Sequence, residues 1–150
     1  MRQALAAAHE ARERGEVPVG ACIVLGDVIL AVAGNRARTL SDPTAHAEIV
    51  ALRNAAKSGN YRLTDARVYS TFEPCVMCAG ALIQARVSRL VYGVRNSRRG
   101  AVESHFNVCN YDFLNHRIAV TAGVLEAECR ELMCRFYRAP RGNQGMRAEG

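Results

Sequence analysis

His46-Ala-Glu48 and the later run Pro74-Cys75-Val-Met-Cys78 are the residues of this chain best equipped for chemistry. One imidazole and two thiolates suit a zinc ion. Three protein ligands leave the fourth tetrahedral position to water, which is the pattern of catalytic rather than closed structural zinc. Zinc lowers the pKa of a bound water to about 7, so a nucleophile would be available at neutral pH. Glu48 is too close to His46 to need its own scaffold, and as a non-ligand it is free to move protons. One Zn2+ per chain is therefore expected, held by His46, Cys75 and Cys78, with Glu48 as the catalytic acid and base. Two other readings of these residues stand beside this one. A Cys-x-x-Cys pair also serves thioredoxin-like redox chemistry, and Cys109 or His105 could close a four-ligand structural site.

The elements that must position these groups are legible from periodicity. Residues 2–14 have helical spacing and stop at Gly15. Val19–Leu25 and Val28–Ala33 flank Gly26-Asp27, a two-residue turn between antiparallel strands. Pro43-Thr44 opens a helix over 45–57, and Arg67–Phe72 reads as a strand. A helix over 75–84 follows Pro74, then a strand over Arg89–Val94. The connection 95–117 carries a short helical turn expected near 104–108. A short strand over 118–121 and an amphipathic helix over 124–137 complete the order. Helices alternating with strands give a three-layer α/β/α sandwich with some strands parallel. Both halves of the chemical motif fall at helix starts, where free N–H groups favour thiolate.

With 150 residues the chain fits one domain, taken as 1–138, followed by a basic tail at 139–150 expected to fray. No apolar run approaches the roughly 20 residues that span a bilayer. The amphipathic start lacks a secretory pattern, so a cytoplasmic, membrane-free protein is expected and the six cysteines are read as free thiols. Net charge is +6, and Lys57 is the only lysine among 20 basic residues. Arg95, Arg98 and Arg99 cluster after one strand, and Arg135, Arg138, Arg141 and Arg147 follow later. Such a distribution suits either a solvated face or a phosphate backbone, which the planar guanidinium recognises well.

His-x-Glu with Pro-Cys-x-x-Cys resembles the signature of zinc-dependent nucleobase deaminases. The resemblance narrows to tRNA-specific adenosine deaminases through Glu16-Val-Pro-Val-Gly20, Asn35-Arg36, the run from Asp42 to Ile49, Asn60-Tyr-Arg-Leu63, and the run from Glu73 to Ala81. It implies a cytidine deaminase-like fold with a five-stranded mixed sheet and helices on both faces. It also implies hydrolysis of adenine at C6 to give inosine and ammonia, with Glu48 carrying the protons. Asn35 would bond the flipped base, and backbone groups around Pro74 and Cys75 would hold the reacting centre. Val17, Phe72, Val94, Asn96, Arg99 and Tyr137 are carried over as further substrate-side positions. The implied partners are a tRNA anticodon loop and a second copy of the chain.

Phe72, Val94, Asn96, Asn107, Asn110, Tyr111, Cys134, Tyr137 and Pro140 depart from the family's usual choices. As a set they resemble laboratory-evolved adenine deaminases used in DNA base editing, fused to a DNA-targeting protein. That resemblance implies activity on deoxyadenosine in single-stranded DNA. A carboxylate at position 96 could accept a bond from an RNA 2′-hydroxyl, which deoxyribose lacks; Asn96 removes that charge and Arg99 adds an attractive one. A cytidine or guanine deaminase, and a nucleic-acid-binding module with structural zinc, are the rival functions.

Overall fold

A computed structural model of the chain describes residues 1–139. The expected tail lies outside these residues except for Ala139. The order is α1 (Arg2–Glu13), β1 (Gly20–Leu25), β2 (Val28–Gly34), α2 (Ala47–Ala56), β3 (Arg67–Phe72), α3 (Val76–Gln84), β4 (Arg89–Val94), β5 (Ala119–Thr121) and α4 (Glu126–Arg138). The five strands form one sheet in the order β2-β1-β3-β4-β5. β1 is antiparallel to both of its neighbours, and β3, β4 and β5 run parallel, so the sheet is mixed as expected.

Strand alternation sorts the helices to two faces. Ala21 and Ile23 of β1 join Ala47 and Ala51 of α2 and Ala79 and Leu82 of α3 in the larger core. On the opposite face, Leu5 and Ala8 of α1 pack with Cys129 and Leu132 of α4 and with Val94. α1 can lie close because its buried face is small, with Ala4, Ala7, Ala8 and Ala11 inward. Gly20 is its seat: a Cβ there would overlap the Ala4 carbonyl oxygen and come within 2.7 Å of the Ala8 nitrogen.

Strand direction decides where the loops gather. Because β1 opposes both β2 and β3, the entry to β1 and the exits of β2, β3 and β4 share one edge of the sheet. That edge therefore collects residues 16–19, 35–46, 72–75 and 95–104. In an α/β sheet the carboxyl ends of parallel strands are the usual place for a site.

Three local expectations need correction. The helices expected from 45 and 75 begin at Ala47 and Val76, with His46 and Cys75 as extended N-cap residues. The helical turn expected at 104–108 is instead a 3-10 turn at Val108–Asn110. Residues 102–104 are shaped by hydrogen bonds to Glu73 rather than by helical periodicity.

The α1 seat gives a stability prediction. Gly20→Val should lower unfolding free energy by about 3 kcal/mol or more, because backbone on both sides blocks relaxation. Urea denaturation followed by circular dichroism measures it; an unchanged midpoint would mean that α1 does not sit on β1 this closely.

Candidate active site

Two helix N-termini converge beneath the loop edge. His46 caps α2 and Cys75 caps α3, while Cys78 lies in the first turn of α3. The approach of α2 is set by Asp42, whose Oδ1 accepts from the Thr44 backbone N–H at 2.9 Å and its hydroxyl at 2.7 Å. The ligand atoms of His46, Cys75 and Cys78 all lie within 4.8 Å of one another. The Nδ1 of His46 is 3.6 Å from the Cys75 sulfur and 3.5 Å from that of Cys78. Tetrahedral zinc with ordinary Zn–S and Zn–N bonds requires an N···S edge of about 3.5 Å. The donor set and its spacing fit zinc.

The electrostatics agree with a cation site. Hydrogen bonding from Cys78 and the nearby imidazole hold the Cys75 thiol well below its ordinary value. Contact with Cys75, reinforced by burial, pushes the Cys78 thiol up. The two sulfurs thus share one proton, and metal binding releases it, leaving both as thiolates. The Cys75 sulfur also raises the pKa of His46, against the effect of burial.

Glu48 sits beside this cluster at 3% exposure. Ser70 donates to its Oε1 at 2.8 Å, and its Oε2 lies 3.4 Å from the Cys78 sulfur. Burial pushes the carboxyl up, and the Ser70 hydroxyl only partly opposes this. Such a group gives and takes protons more readily than an exposed glutamate. A cavity of about 320 Å³ opens over Glu48, His46 and Cys75. That size is at the lower end for small-molecule sites.

The structure brings some expected contact residues to this cavity. Val17, Asn35, Phe72, Asn96 and Tyr137 line it. Asn35 donates through Nδ2 to Glu16 at 3.1 Å, which leaves its carbonyl oxygen for another partner. Tyr137 is half exposed, with the Arg98 guanidinium 5.8 Å from its ring centroid. Pro74, Val94 and Arg99 stand outside the lining. Val94 packs in the smaller core, and the Pro74 carbonyl accepts from Ala101. Arg99 is exposed, yet its charge is felt at His46.

Asn96 lines the cavity and also braces the loop that follows it. It is buried, and its Oδ1 accepts from the backbone N–H groups of Arg98 and Arg99 at 3.2 and 3.0 Å. Its side-chain oxygen therefore shapes the loop rather than reaching outward. Neither suggested fourth metal ligand joins the cluster. Cys109 is fully buried in the core, and the His105 ring contacts the Ser97 carbonyl at 2.6 Å. Among the described residues the cluster has three ligands. All six cysteines are free.

Sequence reasoning assigned no role to Glu16, Glu73 or Ser70. Glu16 is fully buried and accepts from Asn35, from the backbone of Arg38 and Thr39, and from the Thr39 hydroxyl. Glu73 holds the 96–104 loop in a similar way. Each was visible as a lone acid beside apolar residues, in Glu-Val-Pro-Val and Thr-Phe-Glu-Pro, where a carboxylate persists only if bonded.

A mixed α/β/α sandwich carrying a His-Cys-Cys cluster and a buried, unligated glutamate defines a zinc-dependent deaminase. Residues 1–94, which include all four of those site residues, match the family model of the cytidine and deoxycytidylate deaminase zinc-binding region. The tRNA-specific adenosine deaminase of Haemophilus influenzae is 45% identical over 144 residues, covering 94% of this chain and 83% of that one. A solved structure from work on A-to-I editing by tRNA:A34 deaminases superposes with a TM-score of 0.85 at 44% identity, covering 88% of this chain and 96% of the other. Guanine deaminase from Bacillus subtilis is more distant, with a TM-score of 0.62 at 39% identity over 70% of this chain and 67% of its own. The chain belongs to the zinc-dependent deaminase family, among homologues of the bacterial tRNA-specific adenosine deaminases.

Removing one ligand tests the cluster. Cys78→Ala should lose the metal, because two remaining ligands leave the ion half solvated. Elemental analysis of the purified variant measures this, with retention of stoichiometric zinc as the contrary result.

Proposed function

We propose that this chain converts adenosine to inosine in nucleic acid, acting on the wobble adenosine of a tRNA anticodon loop and on deoxyadenosine in single-stranded DNA. The observation that carries the reading is the three-ligand cluster with unligated Glu48 beside it, on the floor of a cavity of about 320 Å³. His46, Cys75 and Cys78 would hold a zinc ion, which would supply a Lewis acid able to acidify water. Glu48 takes one proton from the attacking water and passes it to the purine N1, then moves the second, from the hydroxyl now on C6, to the departing amine as the C–N bond breaks. Water and adenine thus become hypoxanthine and ammonia. Ser70 holds Oε1, so Oε2 is the oxygen that faces the metal cluster and makes the transfers. Asn35 keeps a carbonyl oxygen for the base and Phe72 supplies an apolar wall.

The tRNA part of the reading rests on likeness to the H. influenzae enzyme and to the tRNA:A34 deaminase structure. A cavity this small requires the base to swing out of a loop or single strand. Support for DNA comes from position 96. Asn96 caps the loop with a neutral amide, where a carboxylate would bring negative charge to the cavity mouth. Exposed Arg98, whose guanidinium lies over the ring of Tyr137 at the cavity wall, and exposed Arg99, whose charge acts on His46, place positive charge near that mouth, and a fusion to a DNA-targeting protein would supply the single strand. A homodimer belongs to the same reading: Phe106 and Phe113 expose apolar rings after the 96–104 loop, a surface that a second copy would cover. No helix among the described residues is long and apolar enough to cross a membrane, in keeping with a cytoplasmic nucleic-acid substrate.

Glu48→Ala should retain zinc and its melting temperature while turnover falls by roughly 10³-fold, as expected for loss of the acid–base group. A binding module with structural zinc would lose nothing. Substrate choice is read by mass spectrometry of matched RNA and DNA hairpins containing adenine, cytosine or guanine. Inosine and deoxyinosine are expected from the adenine hairpins; conversion of RNA alone would overturn the DNA half. Xanthine or uracil as the principal product would favour guanine or cytidine deamination.

A further inference from the structure

The loop from Asn96 to Ser104 carries exposed Arg98 and Arg99 and follows exposed Arg95; Asn96 braces its first turn and Ala101 and Val102 are buried in the core. Its anchor is Glu73, 1% exposed at the end of β3. The Oε1 of Glu73 accepts from the backbone N–H groups of Val102, Glu103 and Ser104 at 3.2, 2.7 and 2.8 Å. Its Oε2 accepts from the Asn96 N–H at 3.0 Å and from the Ser104 hydroxyl. Gly100 lets the loop close over this carboxylate, since a Cβ there would overlap Glu73 itself and lie 2.6 Å from the Asn96 carbonyl. The Ala101 N–H bonds the Pro74 carbonyl at 3.0 Å, so the same short segment that leads into Cys75 holds the loop twice.

We propose that Glu73 is a positioning residue that sets the strength of polynucleotide binding by holding the Asn96–Ser104 loop, and with it the arginines, against the mouth of the active-site cavity. The loop exposes Arg98 and Arg99, the preceding Arg95 is paired with Glu103 at 3.8 Å, and the loop's inner face is bonded to one buried carboxylate. Five donors converge on that group; Ala101 and Val102 are buried in the core, but the segment 96–100 that carries Arg98 and Arg99 has no apolar side chain and is tied down by polar bonds. Glutamine at position 73 would turn an N–H₂ group toward backbone donors and break part of the ring. The arginines would then sample many positions, and fewer phosphates would be engaged at once. Chemistry at Glu48 would continue, because the metal ligands and Ser70 are held by other bonds. This inference rests on the nucleic-acid reading of the site.

The test compares wild type, Glu73→Gln and Ser104→Ala on an adenosine-containing RNA stem-loop over a series of potassium chloride concentrations. Both variants should bind zinc as the wild type does, and Ser104→Ala, at a residue outside the cavity lining, should keep kcat within about twofold. KM should rise about tenfold for Glu73→Gln and about threefold for Ser104→Ala, in line with loss of several hydrogen bonds or of one. The dependence of log KM on log salt should become shallower by about one unit in Glu73→Gln, as expected when one phosphate contact is lost. An unchanged KM and salt slope would overturn the proposal, as would a fall in kcat accompanied by zinc loss. If Glu73→Gln does not fold, Ser104→Ala decides alone, since it removes one hydroxyl and leaves the carboxylate. Absence of inosine with wild type would overturn the functional reading instead. Fluorescence anisotropy of the same RNA then decides the role of Glu73 through the salt dependence of binding.

Discussion

Two helix N-termini held nose to nose by one sheet are what the rest of this molecule depends on. α2 and α3 each begin with an extended cap residue, and each cap is a metal ligand. Backbone N–H groups at those ends favour anionic sulfur, and the parallel register of β3 and β4 sets where α3 begins. Neither helix could be shifted by a turn without separating His46 from the thiols, because one turn of helix is about 5.4 Å and the ligand atoms span no more than 4.8 Å. The small residues of the interior follow from this. Ala45, Ala47 and Ala51 around α2 and Ala79 in α3 keep the helices close to the sheet and to each other.

Around that fixed centre, two buried carboxylates organise the walls. Glu16 holds the segment after β2, and Glu73 holds the segment after β4. In Glu73 burial alone would raise the carboxyl pKa, but hydrogen bonds from Ser104, Glu103 and Asn96 outweigh it and hold the group below its usual value. These acids differ in kind from the ion pairs on the surface. Arg2–Glu128 and Arg135–Glu131 are largely solvated and contribute little. A buried carboxylate surrounded by N–H donors fixes a loop in one conformation, because each unpaired donor would cost free energy. Mobile cationic side chains can thus project from a stationary backbone.

Regular elements were legible in the chain, and irregular ones were not, for a physical reason. β3 and β4 appear with the bounds read from alternating β-branched and aromatic residues, since strand periodicity is local. Helix starts were misplaced by one or two residues because a cap residue shares the helix's composition but not its backbone angles. The 95–117 connection was misjudged more seriously. The shape of its 96–104 part is held by Glu73, more than twenty positions earlier in the chain, and no window of neighbouring residues contains that information. Asn96 shows the same limit. Its type suggested a polar group on the substrate side, and it does line the cavity, but the bonds from the loop's own N–H groups to its oxygen were not legible.

The sequence by itself determined the chemistry: imidazole and two thiols as zinc donors, a carboxylate two residues from one of them, and an i, i+3 spacing that puts Cys75 and Cys78 at the same helix end. These are properties of residue type and near spacing, which survive in any fold that forms those helices. Tertiary structure alone decided that His46 reaches within 3.6 Å of sulfurs nearly thirty residues away, and that Cys109 and His105 stay clear of them. It also decided that Glu48 is buried against Ser70 and that two distant acids hold the walls of the cavity. Such distances arise from strand order and helix packing, where residues remote in the chain are brought together by burial of apolar surface, and local spacing carries no record of them.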